Sequence, residues 1–276
     1  MSYDREKGFT LVELMIALAL TGIVLACIYK ALTSSQQVYT TQDQIVETQE
    51  NVRAAMEFIT REIRMAGYNP SGSATTFGFV NDDDTGRLTS ARSIAFDVDN
   101  NEDGDLDNDA NEQVGFRLNV DPTSGADTAD LMLRRYSPGA EVRWTAVAEN
   151  IAALGFAYAY DNDGDGELDE GTGGGNTGII WAIDSDADGA LNLVVDTDYD
   201  GDVDLNDVAG GAALASTVSM DRVRAVKVWI LGRTKLQEQD FVDNNTYAVS
   251  NQRIAPSAGY RHRLTTATVR CRNMGY

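Results

Sequence analysis

The sequence predicts an α+β fold in which one long amino-terminal helix packs, through its second half, on a mostly antiparallel β-sheet. Three observations predict it. The 21 residues from Phe9 to Tyr29 are dominated by Leu, Ile, Val, Ala, Met and Phe. A stripe of helical period then continues to Ala66. Beyond Pro70 the pattern changes to alternation, broken by Gly-rich and Asp-rich stretches.

At about 1.5 Å per helical residue the apolar run spans roughly 30 Å, the thickness of a bilayer's hydrocarbon core. A short polar head (MSYDREK) and a glycine precede it, unlike a secretory signal, whose apolar core ends in a small-residue cleavage site. Arg5 and Lys7 before the run and Lys30 after it give a small charge bias, read as head in the cytoplasm and bulk outside. Glu13 lies inside the run, where an unpaired carboxylate is costly. That expense makes it a functional candidate.

Val38, Ile45, Val52, Ile59 and Ala66 recur every seven residues, and Gln42, Gln49, Met56 and Ile63 each follow four residues on. Arg53, Glu57 and Arg61 lie four apart on another face, as on a solvated helix surface. Gly67 and Pro70 are stop signals. One helix from Phe9 to about Ala66 would be roughly 85 Å long. Strands are predicted around Ile94, Phe96 and Val98; Val114, Phe116, Leu118 and Val120; and Leu154, Phe156, Tyr158 and Tyr160. VRAVKVWILG (223–232) and RLTTATVRCR (263–272) complete the set.

The 276-residue chain carries a net charge of -21, which argues against nucleic acid or anionic lipid as partner and suits cations. The charge is local. The windows 82–84, 97–112, 161–170 and 184–207 hold 26 of the 43 acidic residues and no Lys or Arg. Only His262 is histidine, and the two cysteines, Cys27 and Cys271, are far apart. Multi-histidine zinc sites and Cys-X-X-Cys sites are therefore absent, and Cys27 reads as an apolar filler.

Four segments inside those windows share one spacing: DNNEDGDLD (99–107), DNDGDGELD (161–169), DSDADGALN (184–192) and DTDYDGDVD (196–204). Oxygen side chains stand at positions 1, 3, 5 and 9, Gly at 6 and an aliphatic residue at 8. This is a calcium-loop pattern, in which oxygens wrap a hard cation and Gly permits the sharp turn. The predicted ligands are Asp99, Asn101, Asp103, Asp105 and Asp107; Asp161, Asp163, Asp165, Glu167 and Asp169; Asp184, Asp186, Asp188 and Asn192; and Asp196, Asp198, Asp200, Asp202, Asp204 and Asp207. Asp207 fills position 12 of the last loop, while Ala110, Thr172 and Val195 occupy it in the others. No helices flank the loops, so they are not EF-hands; they look more like helix-free tandem calcium loops. Asp184 and Asp196 are twelve apart, so loops three and four are expected to share ligands across Val195. Leu106, Leu168, Leu191 and Val203 are expected to turn inward and pin each loop.

The stretch GFTLVELMIALALTG, with Gly8 before Phe9 and Glu13 fifth from that junction, resembles the class 3 prepilin amino terminus of type IV pilins. SSQQVYTTQDQIVETQENVRAAMEFITREIRMAGYNP is similar to minor pilins of the PilW type, as are VAENIAALGFAYAYD, VRAVKVWILGRT and GYRHRLTTATVRCRN. The resemblance implies a leader over 1–8, a membrane half of the helix over 9–29, an amphipathic half over 30–67 and a β-rich head over 68–276. It implies cleavage between Gly8 and Phe9 by a prepilin peptidase, and methylation of the Phe9 amine. Glu13 would pair with the terminal amine of a neighbouring subunit, because a charge pair in low dielectric attracts strongly and a lone charge is penalised.

The implied partners are other minor pilins, the major pilin, the inner-membrane assembly platform, the prepilin peptidase and a tip adhesin. The implied location is the inner membrane before assembly and the pilus or cell surface after. Lys30 stands where major pilins carry a helix-loosening Pro, although Gly22 keeps one flexible point. That departure suits a subunit that initiates or caps the filament rather than the repeating shaft subunit. The alternatives are a minor pseudopilin of a type II secretion system and a calcium-dependent adhesive tip subunit using Tyr199 and Trp181, although core packing suits Trp181 better. No nucleophile–base constellation is visible, so an enzyme is not expected.

Overall fold

The computed structural model describes residues 8–73, 77–81, 87–106, 112–119, 129–135, 144–239, 241–256 and 258–274. Two compact units divide the chain, Met1–Val46 and Glu47–Tyr276. Helix α1, Leu11–Ile63, runs through both. In the first unit its large apolar side chains, Leu11 to Leu32, are exposed. With an 18-residue window of mean hydropathy 2.6, α1 is long and apolar enough to cross a membrane.

The second unit is the head. Within it α1 buries Val52, Ala55, Met56, Ile59 and Ile63, which recur at three- and four-residue steps. Burial starts at Val52, later than the predicted stripe. Gln49 is exposed, and Thr48 Oγ1 donates to the Arg233 carbonyl at 3.3 Å. Past Ile63 the hydrogen bonds tighten to three-residue steps, Met65 N–H to Glu62 O and Ala66 N–H to Ile63 O, each 3.0 Å. Gly67 then adopts φ +76°, the left-handed C-cap predicted for it.

The main sheet has nine strands, all antiparallel to their neighbours. In chain order the strands of the head are β1 (Ser93–Asp97), β2 (Gln113–Asn119), β3 (Ala129–Arg135), β4 (Trp144–Tyr160), β5 (Glu170–Gly173), β6 (Asn176–Ile179), β7 (Ala182–Ile183), β8 (Ala190–Val194), β9 (Ala212–Ser219), β10 (Val223–Arg233), β11 (Tyr247–Val249), β12 (Gln252–Ile254) and β13 (His262–Arg270). The path β1-β2-β3-β4-β7-β8-β9 branches at β4, which also pairs β10, and β10 pairs β13. β5–β6 and β11–β12 are separate hairpins. Val120 of the predicted second strand and Asp107 of the first loop lie outside the described residues.

Both faces of the sheet's centre are buried, which alternation explains. Leu154, Phe156, Tyr158 and Tyr160 of β4 and Val226, Val228 and Ile230 of β10 join the helix-side core. Ala153, Ala157 and Ala159 of β4 and Ala225, Trp229 and Leu231 of β10 face a second cluster with Trp181, Val195, Val203 and Val249. The small residues of β4 thus admit a second layer, built by the β11–β12 hairpin and the Asp-rich loops.

At Gly232 on β10 an added β-carbon would overlap Val52 Cγ2 of α1. Gly232→Ala is expected to destabilise the head by about 1–3 kcal/mol, the ordinary cost of overpacking, measured by urea unfolding.

Candidate metal centres

Each of the four predicted loops leaves the end of a strand, and each first aspartate is buried: Asp99 after β1, Asp161 after β4, Asp184 after β7 and Asp196 after β8. The four backbones repeat one conformation. Position 6 has positive φ in every loop (Gly104, Gly166, Gly189, Gly201). So does position 4, occupied by Glu102, Gly164, Ala187 and Tyr199. Three of these four are not glycine, so the loop tolerates left-handed backbone at a residue that ordinarily avoids it.

The first carboxylate is placed by these turns. Asp161 accepts from Gly164 N–H at 2.7 Å and Gly166 N–H at 3.1 Å. Asp184 accepts from Ala187 N–H at 2.6 Å and Gly189 N–H at 2.8 Å, and Asp196 accepts from Gly201 N–H at 3.0 Å. Position 3 and 5 carboxylates cap amides two residues on, as Asp163 does for Asp165 at 3.2 Å and Asp200 for Asp202 at 2.8 Å.

A last oxygen closes each loop on the position 2 amide, and its sequence position varies. In the second and third loops it is position 9: Asp169 accepts from Asn162 N–H at 3.2 Å and Asn192 from Ser185 N–H at 3.0 Å. In the fourth it is Asp207, which accepts from Thr197 N–H. In the first it is Glu112, which accepts from Asn100 N–H at 3.2 Å and Asn101 N–H at 3.4 Å.

Carboxylate oxygens within 4.8 Å of one another gather in four groups: Asp99, Asp103 and Glu112; Asp161, Asp163 and Asp169; Asp184, Asp186 and Asp188; Asp196, Asp198 and Asp207. The third and fourth loops form separate groups, which replaces the expected sharing across Val195; that residue is buried and its N–H bonds Trp181 O at 2.8 Å. Asp105, Asp165, Glu167, Asp200, Asp202 and Asp204 lie outside the groups. Asp202 instead faces Lys227 at 3.6 Å, and Asp204 accepts from Asn206 N–H at 2.6 Å. Asn101 holds Asp103, and Asn192 Nδ2 donates to Asp186 at 2.7 Å.

Glu112 was hidden from the spacing because it stands two residues past position 12, just before β2. In the fold it is fully buried, where a glutamate needs partners. Of the position 8 residues, Leu191 and Val203 are buried and Leu168 packs on the second core cluster, while Leu106 is half-buried. Tyr199 lies against Gly171, Gly173 and Gly178 of the β5–β6 hairpin, and Trp181 is in the core.

Both oxygens of Asp99 and Oδ1 of Asp196 are buried with no hydrogen-bond partner. An orphaned carboxylate in the interior is expensive, and three of them within a few ångströms add about 4 kcal/mol of repulsion per pair at an effective dielectric of 20. Burial pushes Asp196 up to about 6, and the charges of Asp207 and Asp200 add to it. Asp184 and Asp169 are also raised, chiefly by burial and then by neighbouring aspartates. For Asp161 burial acts upward too, but the Gly164 and Gly166 amides and Arg224 outweigh it and hold the group below the ordinary range. A multivalent cation would satisfy the orphaned oxygens and cancel the repulsion. The donors are all oxygen, so these groups can hold a hard metal ion rather than a thiophilic one.

At the amino terminus Glu13 closes a capping box. Thr10 N–H and Thr10 Oγ1 each donate to Glu13 Oε2 at 2.9 Å, and Glu13 N–H donates to Thr10 Oγ1 at 3.3 Å. The T-x-x-E spacing of this box was readable, and it gives Glu13 a partner within its own chain. Gly8 and Phe9 precede the helix, and Phe9 is 92 % exposed. Cys271 is buried and Cys27 exposed, both as free thiols.

Residues 3–29 match the family described as the prokaryotic N-terminal methylation motif. Residues 41–149 match the family described as prepilin peptidase-dependent protein B. A search of curated proteins finds no significant match. Among solved structures, a type IV-like pilin from Thermus thermophilus aligns over 82 % of this chain and 97 % of its own, at 11 % identity and a TM-score of 0.41. In two stretches of its first 149 residues, therefore, this chain is similar to N-methylated and prepilin peptidase-dependent proteins.

Proposed function

We propose that this chain is a minor pilin of a type IV pilus, of the PilW type, cleaved between Gly8 and Phe9 and methylated on Phe9. It takes part in initiating or capping the filament, and its head is stabilised by calcium. The observation that carries the reading is the methylation-motif match over residues 3–29, on a helix long and apolar enough to cross a membrane. The four acidic groups support the calcium part, since oxygen-only loops with positive φ at positions 4 and 6 suit a large, loosely coordinated cation.

In the assembled pilus Glu13 faces the terminal amine of the next subunit. The head meets other minor pilins, the major pilin or a tip adhesin, and the inner-membrane platform handles the subunit beforehand. Surface pili counted by electron microscopy in a deletion strain, with the gene restored as control, test this. Loss of pili on deletion is the expected result. Normal pili would contradict it, and lost export of extracellular enzymes in that strain would assign the chain to a secretion system as a pseudopilin.

A further inference from the structure

Strand β13 is an open edge of the nine-stranded sheet: it pairs β10 from Arg270 to His262 and no other strand among the described residues. Beside that edge lies a groove of about 440 Å³ lined by Arg64, from the turn after α1, with Thr268, Val269, Arg270 and Arg272. A second recess of the same size shares Arg270 and Arg272 and adds Arg224, with Asp161 and Glu167 also in its lining.

Arg64, Arg270 and Arg272 are exposed, and among the described residues none of them forms an ion pair. In a chain of net charge -21, three arginines gathered in one groove at the end of β13 make a local positive field. The opposite edge, β9, has the sequence AALASTVS and carries no charge. At the β1 edge, Phe79 bridges Phe96.

Arg270 is the last residue of β13, Arg272 stands in the turn just beyond it, and both line the groove with Arg64. We propose that the β13 edge receives an extended, acid-bearing segment of a partner protein, which joins the sheet as a further strand. Its backbone completes the ladder, and carboxylates near one of its ends meet Arg270, Arg272 and Arg64. This goes beyond the pilin reading and does not depend on calcium.

The test is selection of a phage-displayed library of random dodecapeptides on the full chain in detergent micelles, with the R270E/R272E double variant as counter-selection. Enriched peptides are expected to carry two or more Asp or Glu residues toward one end. They should bind at least tenfold more weakly to Arg270→Glu, Arg272→Glu and Arg64→Glu, and should lose binding when a central residue becomes Pro. Arg64 lies on a different element from the other two, so agreement among the variants separates a lost contact from a disturbed strand. No enrichment over the counter-selected variant, or binding that tolerates the central Pro, would overturn the proposal; charges that only guard a bare edge give the first of these outcomes.

Discussion

Glu13→Ala and Glu13→Gln are both expected to reduce incorporation into the filament at least tenfold, while the protein's level in the membrane stays unchanged. Two roles for this carboxylate meet at one residue. Within its own chain it caps the first turn of α1 through Thr10, a contribution of about 1 kcal/mol. Between subunits, on the proposed reading, it is the charge that pairs a neighbour's amine in a low dielectric, where leaving either charge alone costs far more than a cap. Gln keeps a capping box, since its side-chain oxygen accepts the same amide, but it carries no charge. Immunoblots of sheared pili against membrane fractions read the difference. Gln behaving as wild type while Ala fails would make Glu13 a cap and sink the pairing.

Asp99→Asn and Asp196→Asn are expected to separate the cation-free head from the loaded one. In chelator each variant should be as stable as wild type or more so, because an amide replaces a buried carboxylate with orphaned oxygen, both oxygens in Asp99 and Oδ1 in Asp196. In millimolar calcium each should lose one site's share of stabilisation. Free cation at twenty times Kd contributes about 1.8 kcal/mol per site.

The pH dependence in chelator has a definite sign. The folded Asp196 sits at about 6 against an ordinary 3.8, so the native state holds the proton more tightly in between. Its contribution is full below about 4 and is lost as pH rises through about 6. Calcium needs the ionised group, so its stabilising effect should grow over the same window. A chelated head that gains stability from pH 4 to 7 would show that another group dominates.

The sequence disclosed the helix and its C-cap because both rest on local signals, a 3.6-residue period and a glycine before a proline. It disclosed β1, β2, β4, β10 and β13 because their large residues alternate. No strand is predicted from the sequence over β3, β7, β8 or β9. β7 and β8 are short, β8 is hemmed between two aspartate loops, and β9 is built of Ala, Ser and Thr with little apolar contrast. The second face of β4 was obscured for a related reason: its Ala and Gly residues look like spacers until the layer over them is seen.

In the acidic loops, positions 1, 3 and 6 were legible from spacing alone. The closing residue was legible in three loops, as Asp169, Asn192 and Asp207, but not in the first, because it is fixed by where the chain re-enters the sheet. Glu112 reaches back from the start of β2, and Asp207 closes the fourth loop while Asp204 turns to Asn206. Thr10 was overlooked because Glu13 was weighed only against lipid and a neighbour, not against its own first turn.

The most direct measurement of the central claim is the thermal midpoint of the full chain in detergent, in EGTA and in excess calcium, with magnesium as comparison. Two filled sites at twentyfold excess supply about 3.6 kcal/mol, which raises the midpoint on the order of 10 °C for a domain of this size. A rise of that order with calcium, smaller with magnesium, is the predicted result. An unchanged midpoint in both ions would contradict the account and leave the four loops as a solvated acidic surface.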